Sequence, residues 1–209
     1  MTAEKLLQII QKIRAAEIQY QRPKNSVQLI AVSKAHSVNK IVGAHQAGQI
    51  AFAENYVQEA ILKQKLLQTY PIQWHFIGNI QSNKTKLIAE NFDWVHSVSD
   101  LCIAEKLNKY RPRHYLPLNI LLQINLNAQF ESLLKLASDI VLLENLKLRG
   151  CMVISEKLFG ITADFQHKLI QNNFSLDTLS MGMSNNFELA IKMGSNMVRI
   201  GTALFGKRD

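Results

Sequence analysis

A (β/α)8 barrel preceded by an extra helix is the fold class the sequence predicts, on three observations. Eight short apolar or β-branched runs alternate with helical patterns along the 209 residues. The spacing between runs leaves room for crossover helices rather than tight hairpins, which makes the strands parallel. An open doubly wound sheet is the alternative, but no GxGxxG follows the first run.

The first element is a helix over residues 1–20, in which Leu6, Ile9, Ile13, Ala16 and Tyr20 recur three or four apart among Glu4, Lys5, Lys12 and Arg14. The strand runs follow at 27–33, 50–54, 72–77, 93–97, 116–124, 147–154, 176–181 and 197–201. Helical spacing fills 38–47, 55–68, 82–90, 99–109 and 185–193, with Gly48 and Gly194 placed as C-terminal stops. Residues 126–175 leave the least room for their helices. Four prolines, nine glycines and no low-complexity tract give a domain boundary nowhere to fall, so a single domain over 1–209 is expected. A content of 47% hydrophobic residues is enough to bury its core.

Composition narrows the function classes. There is no leader-like apolar region and no 18-residue apolar run, which argues against secretion and membrane spanning. Cys102 and Cys151 form no CxxC, so neither a disulfide framework nor a metal site is indicated, and a reducing cytoplasm fits. The net charge of +8 is spread along the chain, densest at "KLNKYRPRH" (106–114) with few stacking aromatics. A solvated basic face is favoured over a nucleic-acid patch.

In such a barrel, ligands bind at the C-terminal ends of the strands. Lys34 closes the run "VQLIAVSK", and alternation puts it on the same side as Ile30 and Val32. It is either a lysine reaching for solvent or an amine held beside apolar surface and free to attack an aldehyde. "LSMGMSNN" (179–186) ends the seventh run with Ser180, Gly182 and Ser184, and Asn185 with Glu188 reads as a capping box. It is either an ordinary turn or a phosphate cradle. Arg199 interrupts the apolar run "MVRIG", calling for a buried acidic partner or a ligand acceptor, and Gly201 and Thr202 follow it. A strand-end amine, a cradle and a buried cation together suit pyridoxal 5′-phosphate, with Lys34 as its Schiff-base partner and Arg199 facing the pyridine nitrogen.

The stretches "AVSK" (31–34), "AENYVQEA" (53–60), "WHFIGNIQSNK" (74–84), "VHSV" (95–98) and "LSMGMSNNFELAIKMGSNMVRIGTALFGKR" (179–208) closely resemble the pyridoxal-phosphate homeostasis protein family, relatives of the alanine racemase N-terminal barrel. The resemblance implies a single-domain carrier or regulator that holds the cofactor as a Schiff base, with no established reaction; a monomer is expected, with pyridoxal-phosphate enzymes as recipients. By motif match it puts the Schiff-base lysine on Lys34 and the ring-nitrogen contact on Arg199. Phosphate contacts fall on Ser180, Gly182, Ser184, Gly201 and Thr202, with Asn55 and His75 beside the site. The chain departs from the pattern at Asn79, where histidine is usual, at Asn185 and Asn186, which replace an acidic residue, and at Ser155, which replaces a proline. It also lacks a Ser-Lys-x-Gly segment and is shorter over 127–145 and 155–175. These departures are expected to lie away from Lys34 and Arg199.

An arginine at the ring nitrogen disfavours transaminase chemistry, because it leaves that nitrogen unprotonated. Racemization would also require a second acid/base on the opposite face, usually a tyrosine from another domain. Tyr56 is expected to pack into the helix layer instead. A low-activity racemase remains the alternative to a carrier.

Overall fold

The computed structural model describes residues 2–207. Eight parallel strands close into a barrel in chain order. They are β1 (Gln28–Val32), β2 (Ala51–Glu54), β3 (Gln73–Phe76), β4 (Trp94–Val98), β5 (Leu118–Gln123), β6 (Leu146–Met152), β7 (Thr178–Ser180) and β8 (Met197–Ile200). Closure comes from β1 pairing with β8, with Gln28 opposite Met197 and Ile30 opposite Arg199.

Helix α1 (Thr2–Gln19) precedes β1, the crossovers between strands carry α2 (Val38–Gln46), α3 (Val57–Leu66), α4 (Thr85–Asn91), α5 (Leu101–Tyr110), α6 (Phe130–Ile140), α7 (Phe159–Gln171) and α8 (Phe187–Lys192), and α9 (Thr202–Phe205) follows β8. The fold is the one the alternation predicts. Gly48 and Gly194 take φ of +98° and +101° just beyond α2 and α8. Residues 126–175 hold two full helices, α6 and α7, because the turn before α6 is short and Leu133, Ala137 and Ile140 supply an apolar stripe at helical spacing.

Strand alternation sorts two cores. Leu29 and Ala31 face the helix layer, while Ile30, Val32, Ala51, Ala53, Trp94, Leu121, Met152 and Met197 fill the barrel. The first helix packs against α2, α8 and α9. Its buried Glu17 accepts the Val27 N–H at 2.7 Å and the Asn25 N–H at 3.0 Å, tying α1 to the start of β1. No helix is long and apolar enough to cross a membrane among the described residues.

Candidate cofactor-binding site

The first strand ends at Val32, two residues short of Lys34. The Ser33 N–H still donates to the Ala53 carbonyl at 3.0 Å, and then the chain turns, with Ala35 at φ +56°. Lys34 rides on this turn half-buried. Its side chain has no hydrogen-bond or salt-bridge partner among the described residues. It lines an open cavity of about 420 Å³ at the barrel mouth, together with Ile77, the Met183–Asn186 loop, Arg199, Gly201 and Thr202. That volume suits a small organic ligand.

Arg199 forms the inner wall and is 4% exposed. Its Nη1 donates to the Ser180 carbonyl at 2.9 Å and to Ser180 Oγ at 2.6 Å, and its Nη2 donates to the Val153 carbonyl at 2.7 Å. No carboxylate pairs with it among the described residues. Burial lowers its pKa to about 10, which still leaves a cation at neutral pH.

Behind Arg199 a hydrogen-bonded chain runs down the barrel. Ser180 Oγ lies 3.1 Å from His96 Nδ1, His96 Nε2 2.9 Å from His75 Nδ1, and His75 Nε2 3.1 Å from Gln73 Oε1. Because the amide oxygen must accept, donation in one direction from Ser180 to Gln73 satisfies every group. Burial holds His75 down to about 3. It also holds His96 well below the usual imidazole value, helped by the neighbouring His75 and Arg199. Both rings are therefore neutral, and the charge of the stack stays on Arg199.

On the other wall, Gly182 has φ +91°, and a Cβ there would lie 2.6 Å from that of Ala190. Its carbonyl accepts the Arg199 N–H at 3.0 Å, binding the loop after β7 to β8. A Cβ on Gly201 would stand 3.1 Å from the Val32 carbonyl, so this position lets β8 close against β1. Ser184 Oγ accepts the Ala203 N–H at 3.3 Å, joining the two loops that flank the cavity. The capping box expected of Asn185 and Glu188 does not form. Asn186 precedes α8 and turns its side chain back, accepting the Met183 N–H at 2.8 Å and donating to Glu156 at 2.8 Å.

The family described as alanine racemase, N-terminal domain, matches residues 8–209. The pyridoxal phosphate homeostasis protein of Pasteurella multocida is 44% identical, covering 100% of this chain and 99% of its own length. That of Pseudomonas aeruginosa is 45% identical, covering 99% of this chain and 96% of its own length. This chain belongs to the pyridoxal-phosphate homeostasis protein family. PipY of Synechococcus elongatus, solved with PLP bound, superposes with a TM-score of 0.85 at 36% identity, covering 99% of this chain and 100% of PipY.

Of the positions expected from the homeostasis-protein motifs, Lys34, Ser184, Arg199, Gly201 and Thr202 meet around the one cavity. Ser180 and Gly182 stand directly behind it. Asn55 lines a neighbouring cavity of about 280 Å³ together with Tyr56 and Asn79. His75 is fully buried and reaches Arg199 only through His96 and Ser180. Two further expectations are corrected. Tyr56 is 63% exposed rather than packed into the helix layer, because it precedes α3 and only the next residue, Val57, turns inward. Asn185 and Asn186 line the cavity itself rather than lying away from Lys34 and Arg199, since the loop after β7 folds over the mouth. His96, carried by the "VHSV" motif, is a further residue of this region that no pattern in its strand distinguishes from a core histidine.

Proposed function

We propose that this chain binds pyridoxal 5′-phosphate in the cavity at the barrel mouth, with Lys34 as the amine that condenses with its aldehyde, and acts as a carrier in cofactor homeostasis. One observation carries the reading: an amine without a partner and a buried cation without a carboxylate, among the described residues, line the same cavity. These residues fit the cofactor. Arg199 suits a neutral ring nitrogen that needs a donor, and Ser184, Gly201 and Thr202 suit a phosphate. When bound, the cofactor supplies an electrophilic aldehyde and an electron-withdrawing ring.

The chain's own groups do the rest. Lys34 provides the nucleophilic nitrogen. Arg199, held by three acceptors and with a pKa near 10, donates a hydrogen bond and keeps its own proton at neutral pH, so it does not charge the ring. Ser180 and His96, with His75 beyond them, hold its fork in place. Gly182 shapes the loop that brings Ser184 to the rim, and Asn55 borders the mouth from the side of β2. Apart from Lys34 and Arg199, the cavity lining carries no ionizable side chain among the described residues, which supports holding the cofactor over turning over an amino acid. We propose a monomer of one domain over 1–209, with pyridoxal-phosphate enzymes as its recipients. The cytoplasm is the proposed compartment, on the two unpaired cysteines Cys102 and Cys151.

Titration with pyridoxal 5′-phosphate tests the binding. A visible absorption band should saturate at one equivalent and be missing in Lys34→Ala; a full band in that variant would end the proposal. Proton exchange at Cα of amino acids in heavy water tests the carrier role. No turnover is expected, and sustained exchange would establish the racemase reading in its place.

A further inference from the structure

We propose that Glu59 and Lys63 are positioning residues, which hold the two peptide groups on either side of Lys34 and so fix where its amine enters the cavity. The inference rests on the cofactor-binding reading of Lys34. Lys63, on α3, is 6% exposed, and its Nζ donates to the Ser33 carbonyl at 2.8 Å. The same ammonium donates to Glu54 Oε1 and Glu59 Oε1, each at 2.7 Å. Glu59 Oε1 in turn accepts the Ala35 N–H at 2.7 Å. One ion pair thus grips the peptide group that precedes Lys34 and the peptide group that follows it.

The anchor below this pair is Glu54, 0% exposed at the end of β2, whose Oε1 also accepts the Ser33 hydroxyl at 2.6 Å. Burial raises the Glu54 pKa against the opposing bonds from Lys63 and Ser33, and its Oε2 is buried without a partner. An arrangement this costly to bury is one the chain holds for geometry rather than for stability. The geometry it holds is unusual, since Ala35 has a Cβ and sits at φ +56°. Without the acceptor on Glu59, nothing else described holds the Ala35 N–H, and the turn is free to relax.

Position matters here because condensation joins the Lys34 nitrogen to the aldehyde carbon and releases the aldehyde oxygen as water, with both hydrogens coming from the amine. The nitrogen must approach the carbon along a narrow path, whereas grip on the phosphate and ring needs no contribution from Lys34.

The test compares two ligands in wild type, Glu59→Gln and Glu59→Ala. Pyridoxine 5′-phosphate, which has no aldehyde, reports the phosphate and ring grip by calorimetry. Pyridoxal 5′-phosphate reports condensation by stopped-flow absorbance. Glu59→Ala should bind pyridoxine 5′-phosphate within about twofold of wild type yet condense at least about tenfold more slowly, and Glu59→Gln, which keeps an acceptor, should recover much of the rate. Equal condensation rates in all three proteins would overturn the positioning role while leaving the binding reading intact. A parallel loss of pyridoxine 5′-phosphate affinity would overturn it in favour of a general collapse of the mouth. Wild type that reacts at another lysine, or not at all, would remove the binding reading and this inference with it.

Discussion

The two ends of the barrel each hold an arginine, and they are balanced differently. Near the N-terminal ends of the strands, Arg149 makes a two-pronged pair with Asp177 at 2.8 and 2.7 Å, donates to Asn119 at 2.8 Å, and lies 4.7 Å over the Trp94 ring. At the mouth, Arg199 is met by two carbonyls and a hydroxyl and by no described carboxylate. The first is a closed structural plug. The second is a cation the chain buries with no described carboxylate to neutralise it, and that difference supports the proposal that the mouth is the ligand-binding end.

The largest effect expected from breaking this contrast lies in the wall of the mouth, where a buried cation is balanced. Lys63→Met leaves the buried Glu54 carboxylate without a cation, held only by the Ser33 hydroxyl, and should lower unfolding free energy by about 3–5 kcal/mol in urea. Next comes Arg199→Met. It should cost pyridoxal 5′-phosphate affinity about ten- to a hundredfold, as expected for losing a hydrogen bond from a charged donor, with little loss of stability.

A pH effect of similar size separates the stack behind Arg199 from the plug. His75 has a folded pKa of about 3 against an ordinary 6.5, so the unfolded chain binds the proton first as pH falls. Its contribution to stability is therefore full above pH 6.5 and is lost downward, about 2 kcal/mol by pH 5. Denaturation at pH 7 and pH 5 measures it, and His75→Gln should shrink the difference, leaving the part contributed by the likewise buried His96. The smallest effect is Arg149→Met, about 1 kcal/mol of stability with unchanged cofactor affinity. Were Arg149→Met to weaken the cofactor as Arg199→Met does, the two ends would not be distinct.

The contrast also separates what local sequence could reveal from what it could not. Period and turn residues located every strand to within a few residues, because a parallel barrel repeats one local unit eight times. Lys34 and Arg199 were legible as charges in apolar strand runs, and Ser184, Gly201 and Thr202 as small residues at strand ends. What escaped depended on neighbours distant in sequence. The Asn185–Glu188 pattern read as a cap, but Asn186 found Glu156 instead. The Glu54–Lys63–Glu59 network joins β2, α3 and the Lys34 turn, and no spacing along the chain announces that their side chains converge. Tyr56 misled because it sits in a helical-looking run yet lies just before the helix begins.

The most direct measurement is borohydride reduction of the protein saturated with pyridoxal 5′-phosphate, followed by mass spectrometry of its peptides. One pyridoxyl group on the peptide carrying Lys34 is the predicted result. A group fixed on a different lysine, or a chain of unchanged mass, would contradict the central claim.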